Sequence, residues 1–202
     1  MTLLSRLRAA RTALGRRHDD RPMVPIGRVP RSVGIIMDGN RRWAKKRLLP
    51  AAFGHASGAK RVRTLVEACI RTNIPHLSLF AFSTENWRRP PEEVSVLMNL
   101  FASYLQKEVD DMEKNGVCLK IVGDQTKFSS ELQTLITRAE TQTQNNTKVT
   151  LRVAANYGGR WDMLQAAKAW QKSNPGVDLQ NLTEESLAAH LCTGQAPEMD
   201  LL

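Results

Sequence analysis

A chain of 202 residues suffices for one domain with a real core, and without an apolar run of about eighteen residues it holds no membrane-spanning helix. The formal net charge of +9 is concentrated at the start: residues 1–31 carry eight arginines against Asp19 and Asp20, a net +6, so the rest carries +3 and gives no support for a nucleic-acid footprint on the folded body. Cys69, Cys118 and Cys192 stand far apart, which excludes a disulfide framework and a clustered zinc motif and reads as reduced thiols of a cytosolic protein.

Residues 1–30 form a basic N-terminal arm. Its opening, "MTLLSRLRAARTALGRR", puts Leu3, Leu7, Ala10 and Leu14 on one helical face beside arginines. That pattern fits peripheral contact with an anionic membrane surface, a transit peptide or a solvated arm. Pro22, Pro25 and Pro30 mark the exit from it, and residues 31–202 form the folded domain.

The domain alternates two periods. Val33–Met37 reads as a strand. Residues 57–72 place Val62, Leu65, Val66, Cys69 and Ile70 at helical spacing. Residues 76–83, "HLSLFAFS", read as a strand. Residues 91–115 open with Pro91-Glu92-Glu93, good first-turn residues, and carry Val94, Leu97, Met98, Phe101, Leu105, Val109 and Met112 on one face. Residues 117–123 are a strand, 129–143 a helix, 149–158 a strand and 160–172 a helix. Thr183 caps a last short helix. Strands and helices in this order predict an α/β fold with a central, mostly parallel sheet flanked by helices. The final "PEMDLL" reads as the first residues of one more strand, so the expectation is that the domain continues past Leu202.

In open parallel sheets ligands bind at the carboxyl ends of the strands. The four segments expected there are "DGNRRW" (38–43), "STENWRRP" (83–90), "GDQTKF" (123–128) and "NYGGRWD" (156–162). Arg41, Arg42, His55, Arg88, Arg89 and Arg160 point to phosphate oxygens, which guanidinium groups chelate as a fork. A lone Asp38 among them would repel phosphate unless a Mg²⁺ ion bridged carboxylate and phosphate oxygens; Asp38 also fits an ordinary helix cap. Nucleotide loops of the G-x-x-x-x-G-K-[ST] and G-x-G-x-x-G types are absent, as is an aspartate-rich D-D-x-x-D. The apolar face of residues 91–115 is either packed core or one wall of a tunnel for an apolar chain.

The stretches "GIIMDGNRRWAKK", "FGHASGAK", "LSLFAFSTENWRRPPEEVSVLM", "VGD" and "AANYGGRWDM" closely resemble the bacterial cis-prenyltransferases, the undecaprenyl diphosphate synthases, from about Val33 to the end of the chain. The resemblance implies that family's fold, with an apolar tunnel beside the sheet. It also implies condensation of isopentenyl diphosphate units, in cis, onto an allylic diphosphate such as farnesyl diphosphate, giving a long polyprenyl diphosphate that serves as a lipid-carrier precursor. Asp38 would hold Mg²⁺ and assist departure of the diphosphate. Gly39, Asn40, Arg41 and Arg42 would cradle that diphosphate, with Trp43 bordering the substrate and His55 contacting the diphosphate. Ser83, Thr84 and Glu85 would line the pocket beside Trp87 and Arg89. Asn86 would lie near the proton lost from the isopentenyl unit; an amide is a poor base, so it would orient a water or a diphosphate oxygen that takes the proton. The resemblance further implies a cytoplasmic homodimer when full length.

Two departures stand out. Ala51 occupies a position where the family carries an arginine four residues before the histidine of "GH". The family's arginine-rich R-T-[SG]-G-E-x-R-x-S-N-F segment, which grips isopentenyl diphosphate, is not reached by residue 202, so the expectation is that this chain alone is poorly active. A non-catalytic prenyltransferase subunit and a phosphate-compound binding module are the alternatives.

Overall fold

The computed structural model describes residues 29–194 and 196–202. The reading of the basic arm therefore lies, but for its last residues, outside the described residues. Four strands, β1 (Ser32–Ile36), β2 (His76–Ser83), β3 (Val117–Val122) and β4 (Val149–Tyr157), form one parallel sheet in the order β1-β2-β4-β3. Around them run α1 (Asn40–Lys45), α2 (Ala51–Thr72), α3 (Pro91–Asn115), α4 (Ser130–Thr143), α5 (Gly159–Ser173) and α6 (Glu184–His190). Because every strand points the same way, all four carboxyl ends lie on one edge.

One face of the sheet carries the core. Leu77, Leu79, Leu119 and Leu151 are essentially sealed from solvent, and they pack with Val62, Val66 and Cys69 of α2, Leu105, Val109 and Met112 of α3, and Leu132, Ile136 and Ala139 of α4. Each fully buried aliphatic side chain contributes about 1.5–3 kcal/mol, so this layer dominates the stability. The helices end where the chain can turn: Asn73 and Gly116 adopt left-handed conformations after α2 and α3, and Ser129 and Thr183 cap α4 and α6 through their hydroxyls.

On the opposite face, Ser32, Gly34, Ser78, Phe80, Arg152 and Ala154 floor a groove of about 620 Å³ bordered by α6 and residues 191–202. Met199 lies directly against Gly34, where a Cβ would come within 2.2 Å of its sulfur. The expected last strand is represented by a single parallel bridge, Leu201 to Val33, on the free edge of β1. The Asp200 carboxylate anchors it by accepting from the Arg31 and Ser32 backbone N–H groups.

One boundary differs materially from the sequence reading. Helix α2 begins at Ala51 rather than residue 57. Gly54 and Gly58 weaken the helical signal there, yet both serve as contact surface: α1 lies on them through Asn40, whose carbonyl oxygen would be 2.1 Å from a Cβ at Gly54.

Candidate active site

The turn from β1 into α1 is made by Gly39, the residue preceding the helix, at φ 88°, a left-handed conformation that a residue with a Cβ rarely adopts. Asp38 is therefore not the helix cap. Its carboxylate accepts from the Gly39 N–H at 2.6 Å and pairs with Arg42 at 2.5 Å, and it remains 72% exposed. From this turn opens a cavity of about 370 Å³. Asp38, Gly39, Asn40, Arg41 and Arg42 line one side, and His55 of α2, Ser83, Asn86 and Arg89 line the others.

The loop after β2 is a 3-10 turn, Thr84–Arg88, locked at its start by a reciprocal pair of bonds. The Ser83 hydroxyl accepts from the Asn86 backbone N–H, and the Asn86 side-chain oxygen accepts from the Ser83 N–H at 3.1 Å. With its oxygen so used, the NH₂ group of Asn86 is the end left to donate.

Four of the sequence-derived site residues do not line this cavity. Trp43 lies on the outer side of α1 with the Arg47 guanidinium 4.2 Å above its ring. Thr84 packs against Gly158. Glu85 is exposed, and hydrogen bonding from Ser83 leads the causes that hold its carboxyl below the ordinary range. Trp87 turns inward: its ring packs edge-on against Phe82, and its Nε1–H donates to Asn156 Oδ1 at 2.7 Å. Arg160 is exposed and likewise away from the cavity, so the third and fourth loops support the site rather than line it. Asn156, fully buried at φ 53°, is the keystone: it accepts from Trp87 and donates through Nδ2 to the Asp124 carbonyl at 2.6 Å, tying three loops together.

Met37, Asn40, His55, Ala81 and Leu97 of the cation-lined cavity also line an apolar cavity of about 120 Å³ between α2 and α3, whose further walls include Val62, Phe101 and Tyr104. A polar cavity thus adjoins an apolar one.

A family model described as undecaprenyl diphosphate synthase matches residues 36–202. The ditrans,polycis-undecaprenyl-diphosphate synthase of Pseudomonas aeruginosa, described as (2E,6E)-farnesyl-diphosphate specific, is 49% identical over 175 residues, covering 86% of this chain and 70% of its own length. The chain belongs to the undecaprenyl diphosphate synthase family. The isoprenyl transferase of Nitrosomonas europaea is 45% identical over 175 residues, 87% of this chain and 66% of its own length, so the chain spans about two thirds of the length of such relatives. The crystal structure of lavandulyl diphosphate synthase from Lavandula x intermedia, in complex with dimethylallyl diphosphate, superposes with a TM-score of 0.76 at 28% identity, covering 84% of this chain and 73% of that one.

Within this undecaprenyl diphosphate synthase family chain, one residue of the site escaped the motif reading. Glu93, in the first turn of α3 and only 12% exposed, is shared by three cationic or basic side chains. His55 Nε2–H donates to it at 3.4 Å, Arg89 pairs with it at 3.1 Å, and Arg41 lies at 3.9 Å. The i,i+4 spacing of Arg89 and Glu93 was the available signal. Burial lowers the His55 pKa from its ordinary value, and Glu93 partly opposes that effect; Arg89 and Arg41 add to the lowering. While the ring is neutral its one N–H is committed to Glu93. Among the described residues no group of three or more His, Cys, Asp or Glu side chains is placed to hold a metal, and no helix is long and apolar enough to cross a membrane.

Proposed function

We propose that this chain is a cis-prenyltransferase that joins isopentenyl diphosphate to an allylic diphosphate of the farnesyl class and repeats the addition. The observation that carries the reading is a pair of cavities with five lining residues in common: a cation-lined one of about 370 Å³ suited to a diphosphate, and an apolar one of about 120 Å³ suited to the hydrocarbon tail. Phosphate oxygens match the guanidinium groups of Arg41, Arg42 and Arg89 and the amide donor of Asn86.

In the reaction the allylic carbon–oxygen bond breaks, the diphosphate leaves with the electron pair, the double bond of the isopentenyl unit attacks the allylic carbon, and a proton is lost to form the new double bond. Arg41, Arg42 and Asn40 hold the leaving diphosphate near the Gly39 turn, where the absence of a side chain permits close approach. Arg89 and the NH₂ group of Asn86 hold the second diphosphate and orient the oxygen that takes the proton. The apolar walls fix the tail and keep water from the allylic cation, which would otherwise be hydrolysed.

Asp38 fits a hard divalent cation such as Mg²⁺: its carboxylate is exposed at the cavity mouth, and with one carboxylate from the protein most remaining ligands would be diphosphate oxygens and water. A Mg²⁺ ion held there would neutralise charge on the departing diphosphate. Arg42, paired with Asp38 here, lines the same cavity. A homodimer, a cytoplasmic location and peripheral membrane contact belong to the same proposal.

The test is incubation of the protein with Mg²⁺, farnesyl diphosphate and labelled isopentenyl diphosphate, followed by chromatography of the lipid products. Chain extension supports the enzyme. Extension only after a second prenyltransferase chain is added makes it a subunit, and binding of both diphosphates without extension makes it a binding module; either result refutes the proposal.

A further inference from the structure

The chain reverses between α1 and α2 in residues 46–50. The Lys46 and Arg47 N–H groups bond back to the Arg42 and Ala44 carbonyls, and those of Leu48 and Leu49 to the Lys45 and Ala44 carbonyls, so the turn folds tightly onto the end of α1. Leu48 makes the reversal, at φ 55°. Among the described residues the other non-glycine positions with positive φ, Asn73 and Asn156, are asparagines, a residue type that tolerates this conformation. A leucine there is strained, and burial does not offset the strain, because Leu48 is 95% exposed. Glycine would make the same turn freely.

Leu48 does not stand alone. Trp43, Leu49 and Phe53 are exposed at the same corner, Phe53 by 59%. Single exposed apolar residues need no explanation, but a group of them gathered at one strained turn marks a contact surface. Lys45, Lys46 and Arg47 stand among them, all exposed, and none of the three meets a carboxylate among the described residues. From Gly39 to Val66 the sequence holds no Asp or Glu. Cations at the end of α1 suit the helix dipole; the leucine in a left-handed turn has no such account. Apolar tips set among cations fit the surface of a bilayer with anionic headgroups, where leucine and phenylalanine enter the acyl boundary and lysines stay at the phosphates. An acidic protein surface would pair the cations and leave Leu48 in water.

We propose that the α1–α2 corner, with Leu48 at its tip and Lys45, Lys46 and Arg47 around it, docks this protein on an anionic lipid bilayer. The inference rests on the cis-prenyltransferase reading for its purpose, and it gives the peripheral membrane contact of that reading a surface separate from the basic arm of residues 1–30. Helix α1 also carries Arg41 and Arg42 on the wall of the cation-lined cavity, so docking at its end holds that cavity beside the bilayer, where a polyprenyl product collects.

The experiment is co-sedimentation of the full 202-residue chain with vesicles of phosphatidylcholine alone or mixed with phosphatidylglycerol, in about 0.1 M salt. It compares wild type, Leu48→Gly, and a double variant carrying Lys45→Gln and Lys46→Gln. Leu48→Gly removes the apolar tip and relieves the turn, so its melting temperature should match or exceed that of wild type, and lost binding is then not lost folding. Wild type should bind the anionic vesicles and not the neutral ones. Leu48→Gly should bind about tenfold more weakly, and the double variant about 25-fold, at roughly fivefold per cation. Equal binding by wild type and Leu48→Gly overturns the proposal and leaves the basic arm as the contact. Absence of wild-type binding, or equal binding to neutral vesicles, overturns it as well. Sedimentation velocity without lipid completes the test: self-association that Leu48→Gly abolishes makes the corner a contact between copies and overturns the bilayer. None of these readouts uses turnover, so a failure to elongate overturns the enzyme reading and leaves the docking surface to be decided by the vesicles.

Discussion

Replacing Gly54 by alanine sets two effects of opposite sign against each other. In an open helix, alanine is more favourable than glycine by about 1 kcal/mol. Here the added Cβ would stand 2.1 Å from the Asn40 carbonyl oxygen, 2.8 Å from its carbonyl carbon and 3.1 Å from the Ala44 Cβ. The first two belong to the backbone of α1, which cannot rotate away as a side-chain tip can. Relief requires α1 to move by about an ångström from α2, against a well-packed contact; overpacking of this kind costs about 1–3 kcal/mol and occasionally more. The clash should win, with a net destabilisation of about 1–2 kcal/mol and a fall in melting temperature of roughly 2–8 °C for a domain of this size. Because α1 carries Asn40, Arg41 and Arg42, a shift of that size should also reduce turnover by about 100-fold. Gly159→Ala is the matched control, since nothing lies within 4 Å of the point where its Cβ would stand; it should be neutral or slightly stabilising. Thermal melts of both variants, with steady-state elongation rates, make the comparison. A Gly54→Ala protein as stable as wild type, or more so, would mean that helix propensity outweighs the α1–α2 contact and that the packing argument fails.

Asp38→Ala should leave the melting temperature nearly unchanged, since an exposed pair of the Asp38–Arg42 kind contributes about 0–1 kcal/mol, while lowering turnover by about 100-fold or more; near-wild-type turnover would remove Asp38 from the chemistry. Glu93→Gln should cost about 1 kcal/mol of stability, because Arg89 and Arg41 both reach water. It should also tighten the binding of inorganic diphosphate measured by calorimetry, because the cations no longer share a carboxylate; weaker binding would show that Glu93 serves mainly to position them. His55, with its pKa lowered in the folded state, contributes stability that is present above the ordinary histidine value near pH 6.5 and is lost as pH falls through it. Melting temperatures between pH 8 and pH 5 should therefore fall, and His55→Gln should flatten that fall; an unchanged slope would refute the assignment. Trp87→Phe should cost about 1–3 kcal/mol by leaving the Asn156 side-chain oxygen without its donor, as read by chemical denaturation.

The sheet and the principal helices were legible in the sequence because each buries one stripe or one face, and that requirement writes a period into the chain. Val62, Val66 and Cys69, or Leu132, Ile136 and Ala139, recur at helical spacing for the same reason that they are buried. The start of α2 was not legible, because Gly54, His55 and Gly58 are selected for contact with α1 and for the site rather than for helicity. The motifs singled out Asp38–Arg42, His55, Ser83, Asn86 and Arg89, all of which line one cation-rich cavity. They did not reveal which neighbours turn away. Thr84, Glu85 and Trp87 sit in the same short turn, and their directions follow from the fold of that turn and from Asn156, some seventy residues on.

Local spacing and composition by themselves determined the alternation of strands and helices, the polar edge and the presence of one carboxylate among cations. Only the tertiary structure decided that Glu93 gathers His55, Arg89 and Arg41 from α2, the loop after β2 and α1, and that the cation-lined cavity shares five lining residues with an apolar one. The physical reason is that period and propensity act within a few residues, whereas a cavity is the space left between elements, and its walls are set by how helices distant in sequence pack on the sheet.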